Sequence, residues 1–267
     1  INPEKGMEYT VLESYRNLVC SNLKPLAITN NLNFASPLDP NIMGEIVLSI
    51  NGLRKSASQL DTPIVSGNVS LYNQTNDRPI KPTPVIGMVG FNDNYESTIS
   101  NKFQNESDLI VLIGNSMGKS SSPYFLQDQH IVKKVTQFNE LIDINYDLEK
   151  KNTKILHNVF DHNLVTSCND ISRGGVFLTL IKMLQNNYGF NINIKDKFDI
   201  FCEYQAGYIL TINKNDYESI KNIFEKKQIE YQNIGVVTKE SIEINSKKFD
   251  YFKILNDYLN NFEKIIN

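Results

Sequence analysis

Apolar side chains at Val11, Leu12, Tyr15, Leu18 and Val19 recur at helical spacing, which predicts a helix over residues 7–23 that Pro25 ends. The next four residues, Leu26-Ala27-Ile28-Thr29, read as a short buried strand. That strand runs out into a polar mouth, Asn30-Asn31-Leu32-Asn33-Phe34. Asp39 and Pro40 have the order of a cap and a first helical residue. Behind them Ile42, Ile46, Val47, Ile50, Leu53, Ala57 and Leu60 form one face of a long amphipathic helix. Pro63, Ile64 and Val65 predict a second buried strand, stopping at Ser66-Gly67-Asn68. A passage holding Pro79, Pro82 and Pro84 then leads to a strand over residues 85–91.

The pattern lapses over residues 92–106, which are polar and lack periodicity, and we take them as the connection between two domains, 1–100 and 101–267. Beyond it a buried strand is expected over 108–113, then a surface loop from Gly114 to Ser120, and a helix over 146–160 carrying Leu148, Ile155, Val159 and Phe160. Val165-Thr166 is a short strand entering Asn169-Asp170-Ile171-Ser172-Arg173-Gly174-Gly175, with a helix from Val176. Glu203 and Gln205 precede an apolar strand over 208–212. A helix over 217–226, strands near 234–237 and 242–244, and a last amphipathic helix over 251–265 complete the chain. Strands and helices alternating in this way give a layered α/β or α+β fold of mixed sheets covered by helices.

Charge and composition exclude several function classes. A formal net charge of −3 over 267 residues does not suit nucleic acid as the main partner. No apolar run reaches the length of a membrane span. Cys20, Cys168 and Cys202 have no paired spacing, which suits a reducing cytoplasm, and His130, His157 and His162 lack companions at zinc-ligand spacing. The opening, Ile1-Asn2-Pro3-Glu4-Lys5-Gly6, has no initiator Met and enters a helix almost at once, as expected of a piece of something longer.

Three stretches carry candidate chemistry. At Gly67 the missing Cβ lets a ligand approach the backbone, and Asn68 and Ser70 alternate with Val69 and Leu71 so that an extended chain puts both polar groups on one face. An amide oxygen and a hydroxyl suit Mg²⁺ or phosphate oxygens, although a Gly-Asn turn with a satisfied serine has the same spacing. Gly114 and Gly118 are separated by three residues rather than four, so the segment fails as a phosphate loop. Asp170 and Ser172 precede a glycine pair and a helix start, where they either cap the helix or flank an anion site.

Three blocks in order, Lys24 to Phe34, Thr62 to Asn73 and Pro82 to Gly90, resemble phosphoribosylformylglycinamidine synthase. The stretches from Asp170 to Gly175 and from Glu203 to Gln205 resemble later motifs of that family. The resemblance implies an N-type domain, truncated at its start, and a C-type domain of the aminoimidazole ribonucleotide synthetase-like fold. Together they form the second half of a duplicated enzyme. The block from Ser66 to Asn73 argues against other superfamily members such as selenophosphate synthetases or thiamine-monophosphate kinases.

By the same resemblance, ATP phosphorylates the amide oxygen of formylglycinamide ribonucleotide, and ammonia displaces the phosphate to give the amidine. The family's catalytic histidine falls in the first half, so no catalytic residue is expected here and the isolated chain is expected to be inactive. Asn30 and Gly67 would contact ATP, Asn68 would ligate Mg²⁺ and Ser70 would hold the substrate, with Asp170 and Ser172 as further candidates. Asn30 replaces a usual Asp, Arg173 a usual acid, and Gly207 a frequent Arg. The implied partners are the N-terminal half, a separate glutaminase subunit and a small bridging subunit. The alternative is a structural half with a degenerate nucleotide pocket.

Overall fold

A computed structural model describes residues 2–76, 78–122, 124–125, 142–195 and 199–266. His130 lies outside the described residues. Helix α1, Pro3–Cys20, starts where the Asn2 side chain accepts the Lys5 N–H, and Pro3 has no N–H to leave unpaired. Strand β1, Lys24–Asn33, leads to helix α2, Pro40–Gln59, whose first turn is capped by Asp39. Strand β2, Ile64–Ser70, pairs parallel with β1. A small hairpin of β3, Gln74–Thr75, and β4, Arg78–Pro79, precedes β5, Thr83–Phe91, which runs antiparallel along the other side of β1.

The second part comprises β6 (Leu109–Ser116), α3 (Tyr146–Asp161), β7 (Ser167–Asp170), α4 (Gly175–Lys182), β8 (Tyr188–Ile192), β9 (Tyr204–Ile212), α5 (Tyr217–Lys226), β10 (Tyr231–Lys239), β11 (Ile242–Ile244), β12 (Lys247–Phe249) and α6 (Tyr251–Ile266). Its strands form one mixed seven-stranded sheet, in the order β12-β11-β8-β10-β6-β9-β7. Both faces of that sheet are covered, and β6 shows why a continuous apolar run suits it. Val111 and Ile113 enter one core with Leu156, Val159 and Phe160 of α3, while Ile110 and Leu112 enter a second core with Val176 and Leu180 of α4.

The first of these cores runs through the whole chain. Met7, Val11, Leu12 and Val19 of α1 pack with Ile28 and Leu32 of β1 and with Tyr208 and Leu210 of β9. Residues 92–106 are therefore not a slack connection. Phe103 is fully buried, its N–H donates to the Met183 carbonyl at 2.9 Å, and Ser100 bridges to Ser167.

Several local expectations change. β1 continues through Asn30–Asn33 and β2 through Gly67–Ser70, because each gives the other's backbone a ladder partner, so polar side chains do not end the strands. β2 is also not buried: it is the edge strand of its sheet, and Val65 is 67% exposed. Gly114–Ser116 belongs to β6 and pairs with the start of β9, and Met117 after it is buried. Gly114 is needed there, with φ of +95° and the Gln205 carbonyl 2.5 Å from where a Cβ would stand. The strand expected at Val165-Thr166 lies two residues later, so Asn169 and Asp170 are strand residues. Thr166 instead turns its hydroxyl to Asp108 at 2.6 Å.

Candidate functional site

The register of β1 against β2 sets Asn30 opposite Gly67, Asn31 opposite Asn68 and Asn33 opposite Ser70. Side chains alternate between the faces of a strand, so these pairs divide. On the open face the Thr29 and Ser66 hydroxyls lie 2.7 Å apart, and Asn68 Nδ2 donates to Asn31 Oδ1 at 3.2 Å, leaving Asn68 Oδ1 as an available oxygen. Asn30 points to the helix-covered face with Ile28 and Leu32. It fills the space beside Gly67, where a Cβ would stand 2.7 Å from Asn30 Nδ2. The structure thus joins Asn30 to Gly67 and Asn68 to Asn31, and places the two pairs on opposite faces of one sheet.

Ser70 lies on the open face but is engaged. Its hydroxyl is 3.3 Å from Asn73 Oδ1, and Asn73 Nδ2 donates to the Ser70 carbonyl at 2.9 Å. Sequence reasoning singled out neither Thr29, Asn31 nor Ser66. The signal was the two-residue rhythm of Thr29, Asn31, Asn33 and of Ser66, Asn68, Ser70, which becomes legible once both segments are read as extended.

Asp170 and Ser172 sit apart from this sheet, at β7 and just after it, and both are buried. Burial pushes the Asp170 carboxyl above the usual carboxylate range, against the pull of Arg16 and of its hydrogen bond with Ser172. Neither side chain caps α4. The cap position is Gly174, in the left-handed region at φ of +92°, and no side chain bonds there. Arg173 is exposed.

A further group of residues was not foreseen. Arg16 of α1 and Glu149 of α3 form a buried ion pair at 2.9 Å, and Glu149 Oε1 also accepts the Ala206 N–H at 2.8 Å. Nearby Glu8 is almost fully buried, accepting from Tyr146 and pairing with Lys55. Glu8, Leu12 and Arg16 are spaced four apart on the apolar side of α1, and charges within such a stripe are a readable sign of internal pairing. Between the two parts lies a cavity of about 610 Å³, where Gly6 and Tyr9 of α1, Glu45 of α2 and Lys81 meet Ser121 and Glu203 of the second part. Burial raises the Glu203 carboxyl to about 7, with Arg16 opposing the shift.

The model of the AIR synthase related protein N-terminal domain matches residues 1–92, and that of the corresponding C-terminal domain matches residues 105–246. The chain belongs to the AIR synthase related family. Among curated relatives of this family, it is 36% identical over 253 residues to the phosphoribosylformylglycinamidine synthase subunit PurL of Bartonella quintana, covering 92% of this chain and 33% of that one. The PurL subunit of Pelagibacter ubique is 33% identical over 252 residues, again covering 92% of this chain and 34% of its own length. The chain therefore spans about a third of the curated relatives it matches.

The same fold is found in PurL of Thermotoga maritima solved with FGAR, with a TM-score of 0.73 at 15% identity over 96% of this chain and 43% of that one. A thiamine monophosphate kinase from Aquifex aeolicus shares it at a TM-score of 0.63 and 12% identity, covering 94% and 84% of the two chains. These likenesses agree with the N-type and C-type layers and mixed sheets expected from the sequence.

Proposed function

We propose that this chain is the second half of a phosphoribosylformylglycinamidine synthase and lends nucleotide, metal and substrate contacts to a site completed by the first half. The observation that carries the reading is the β1–β2 register, Asn30 with Gly67 and Asn31 with Asn68, inside a chain 36% identical to a PurL subunit over 92% of its length. A second observation agrees with a missing partner. Val85, Val89 and Phe91 are each more than half exposed on the same side of β5, a row of apolar side chains suited to pairing with another sheet.

In this reading the synthase phosphorylates the amide oxygen of formylglycinamide ribonucleotide with ATP, and ammonia from a separate glutaminase subunit, delivered with a small bridging subunit, replaces the phosphate in the cytoplasm. The donors on the open face fit a metal only in part. Asn68 Oδ1 is a hard oxygen, but its neighbours Thr29, Asn31 and Ser66 are neutral, and no cluster of acidic, His or Cys side chains among the described residues could hold a cation. Asn68 would therefore supply one ligand, and the rest would have to come from groups other than these neighbours. A Mg²⁺ ion held there would supply charge neutralisation for the phosphate oxygens. This chain's own residues orient: Asn31 fixes the Asn68 amide so that its oxygen points outward, while Asn30 occupies the space that Gly67 leaves on the other face, so a nucleotide reaches that backbone only if Asn30 swings aside. Ser70 meets substrate only by exchanging its contact with Asn73.

Replacing Asn68 with Ala in the full-length synthase tests the reading. A rise in the Mg²⁺ concentration needed for half-maximal amidine formation is expected, and an unchanged Mg²⁺ dependence and turnover would refute it. The all-neutral donor set, with Asn30 in place of an acid, favours a second reading, a structural half that retains a nucleotide. Titration calorimetry of the synthase with ADP separates the two, since retention that is independent of Mg²⁺ supports the structural role.

A further inference from the structure

Ala206 is a non-glycine residue with φ of +45°, it is fully buried, and it lies three residues after Glu203. A left-handed alanine is strained and persists only where its surroundings over-determine it. Here they do. Its N–H donates to Glu149 Oε1 at 2.8 Å, its carbonyl accepts from Asn152 Nδ2 at 3.2 Å, and Glu149 Oε1 is itself held by Arg16 at 2.9 Å. The clamp therefore joins α1, α3 and the start of β9.

The rest of the segment is equally constrained. The Glu203 N–H donates to Ser121 Oγ at 3.0 Å, and its carbonyl accepts the Met117 N–H at 2.8 Å. Gln205 is tied outward, its Nε2 to the Asp143 carbonyl at 2.6 Å and its Oε1 to the Asn145 N–H at 3.3 Å. The turn also folds Tyr204 over Gly207, where a Cβ would stand 2.3 Å from Tyr204 Cβ. With backbone and neighbours pinned, Glu203 is the residue of this segment that lines the junction cavity, whose walls also include Glu45 and Lys81.

We propose that Glu203 is a ligand-facing residue in the junction cavity, and that Glu149, held by Arg16, is its positioning residue, acting through the strained Ala206. The ligand it takes is a polar one carrying N–H or O–H donors toward the carboxyl group. This inference rests on the synthase reading above, because its readout is the kinetics of that enzyme.

The test uses the full-length synthase with Glu203→Gln, Ala206→Gly, Glu149→Gln and the Ala206→Gly/Glu203→Gln double variant. Losing a hydrogen bond to a charged acceptor is worth about 10- to 100-fold, so Glu203→Gln is expected to raise the KM of one substrate by that factor with a smaller change in kcat. Glycine relieves the strain at 206 and is expected to keep Tm equal or raise it while raising the same KM, a combination that a purely structural alanine would not give. Glu149→Gln retains an acceptor for the Ala206 N–H and should raise that KM by less than Ala206→Gly. The double variant should be no worse than Glu203→Gln alone. Wild-type KM values in either single variant at 203 or 206, or multiplicative effects in the double, would overturn the proposal. Absence of amidine formation by the wild-type synthase would instead overturn the synthase reading itself.

Discussion

Arg16→Met removes the cation from a buried pair and leaves the partner behind. Both side chains are almost wholly out of water, at 6% and 2% exposure, and Arg16 is also the largest of the charges that oppose the burial shifts of Asp170 and Glu203. Coulomb attraction alone does not set the cost, because taking the two ions out of water offsets most of it. What dominates is the uncompensated carboxylate left in place, worth about 3–5 kcal/mol. At about 2–4 °C per kcal/mol for a unit of this size, that is a fall in Tm of about 6–20 °C by scanning calorimetry.

The loss should depend on pH. Burial already places the Glu149 carboxyl above its ordinary value, with Arg16 pulling it down. Without Arg16 it rises further, so the folded variant holds a proton that the unfolded chain has released. A group raised in the fold contributes stability below its unfolded value, about 4.3, and loses that contribution as pH climbs through the folded one. The deficit of Arg16→Met is therefore larger at pH 8 than at pH 6. Adding Glu149→Gln removes the stranded charge while keeping an acceptor for the Ala206 N–H, so the double variant regains most of the lost Tm. A double variant as unstable as Arg16→Met, or a deficit that shrinks as pH rises, would refute the reasoning.

Gly235→Ala should destabilise by at least about 2 kcal/mol, because the added Cβ would stand 1.9 Å from the Asn191 carbonyl oxygen, a backbone atom that cannot swing aside; thermal unfolding measures it. Val85→Lys puts a charge at one end of the exposed apolar row of β5, opposite Asn31. If that row meets the first half of the synthase, co-expressed halves carrying Val85→Lys should fail to co-elute in size-exclusion chromatography, and unchanged co-elution would show that the row is not the contact.

Much of the architecture could be read before the fold was seen. The helices α1, α2, α3 and α5 follow from apolar residues at helical spacing, and the start of α2 from Asp39-Pro40, whereas α1 begins at Pro3, four residues before its expected start. Such signals are local, since both the side-chain stripe and the cap lie within a few residues. The strands at 85–91 and 208–212 were legible for the same reason. Errors gathered where polar residues continue a strand. Asn30–Asn33 and Gly67–Ser70 look like loops in isolation, and only the neighbouring strand, about 35 residues away, supplies the backbone partners that make them extended.

By itself, then, the order of side chains determined the helices, most strands and the family likeness carried by short blocks. The tertiary structure decided what each polar residue faces. Pairing register split Asn30 from Asn68 across a sheet, because neighbouring positions on an extended chain point opposite ways. Packing α1 against both sheets joined Arg16, Glu149 and Ala206, residues 133 and 57 positions apart, around one buried carboxyl. Long-range contacts of that kind leave no trace in local periodicity, since they depend on where whole elements come to rest.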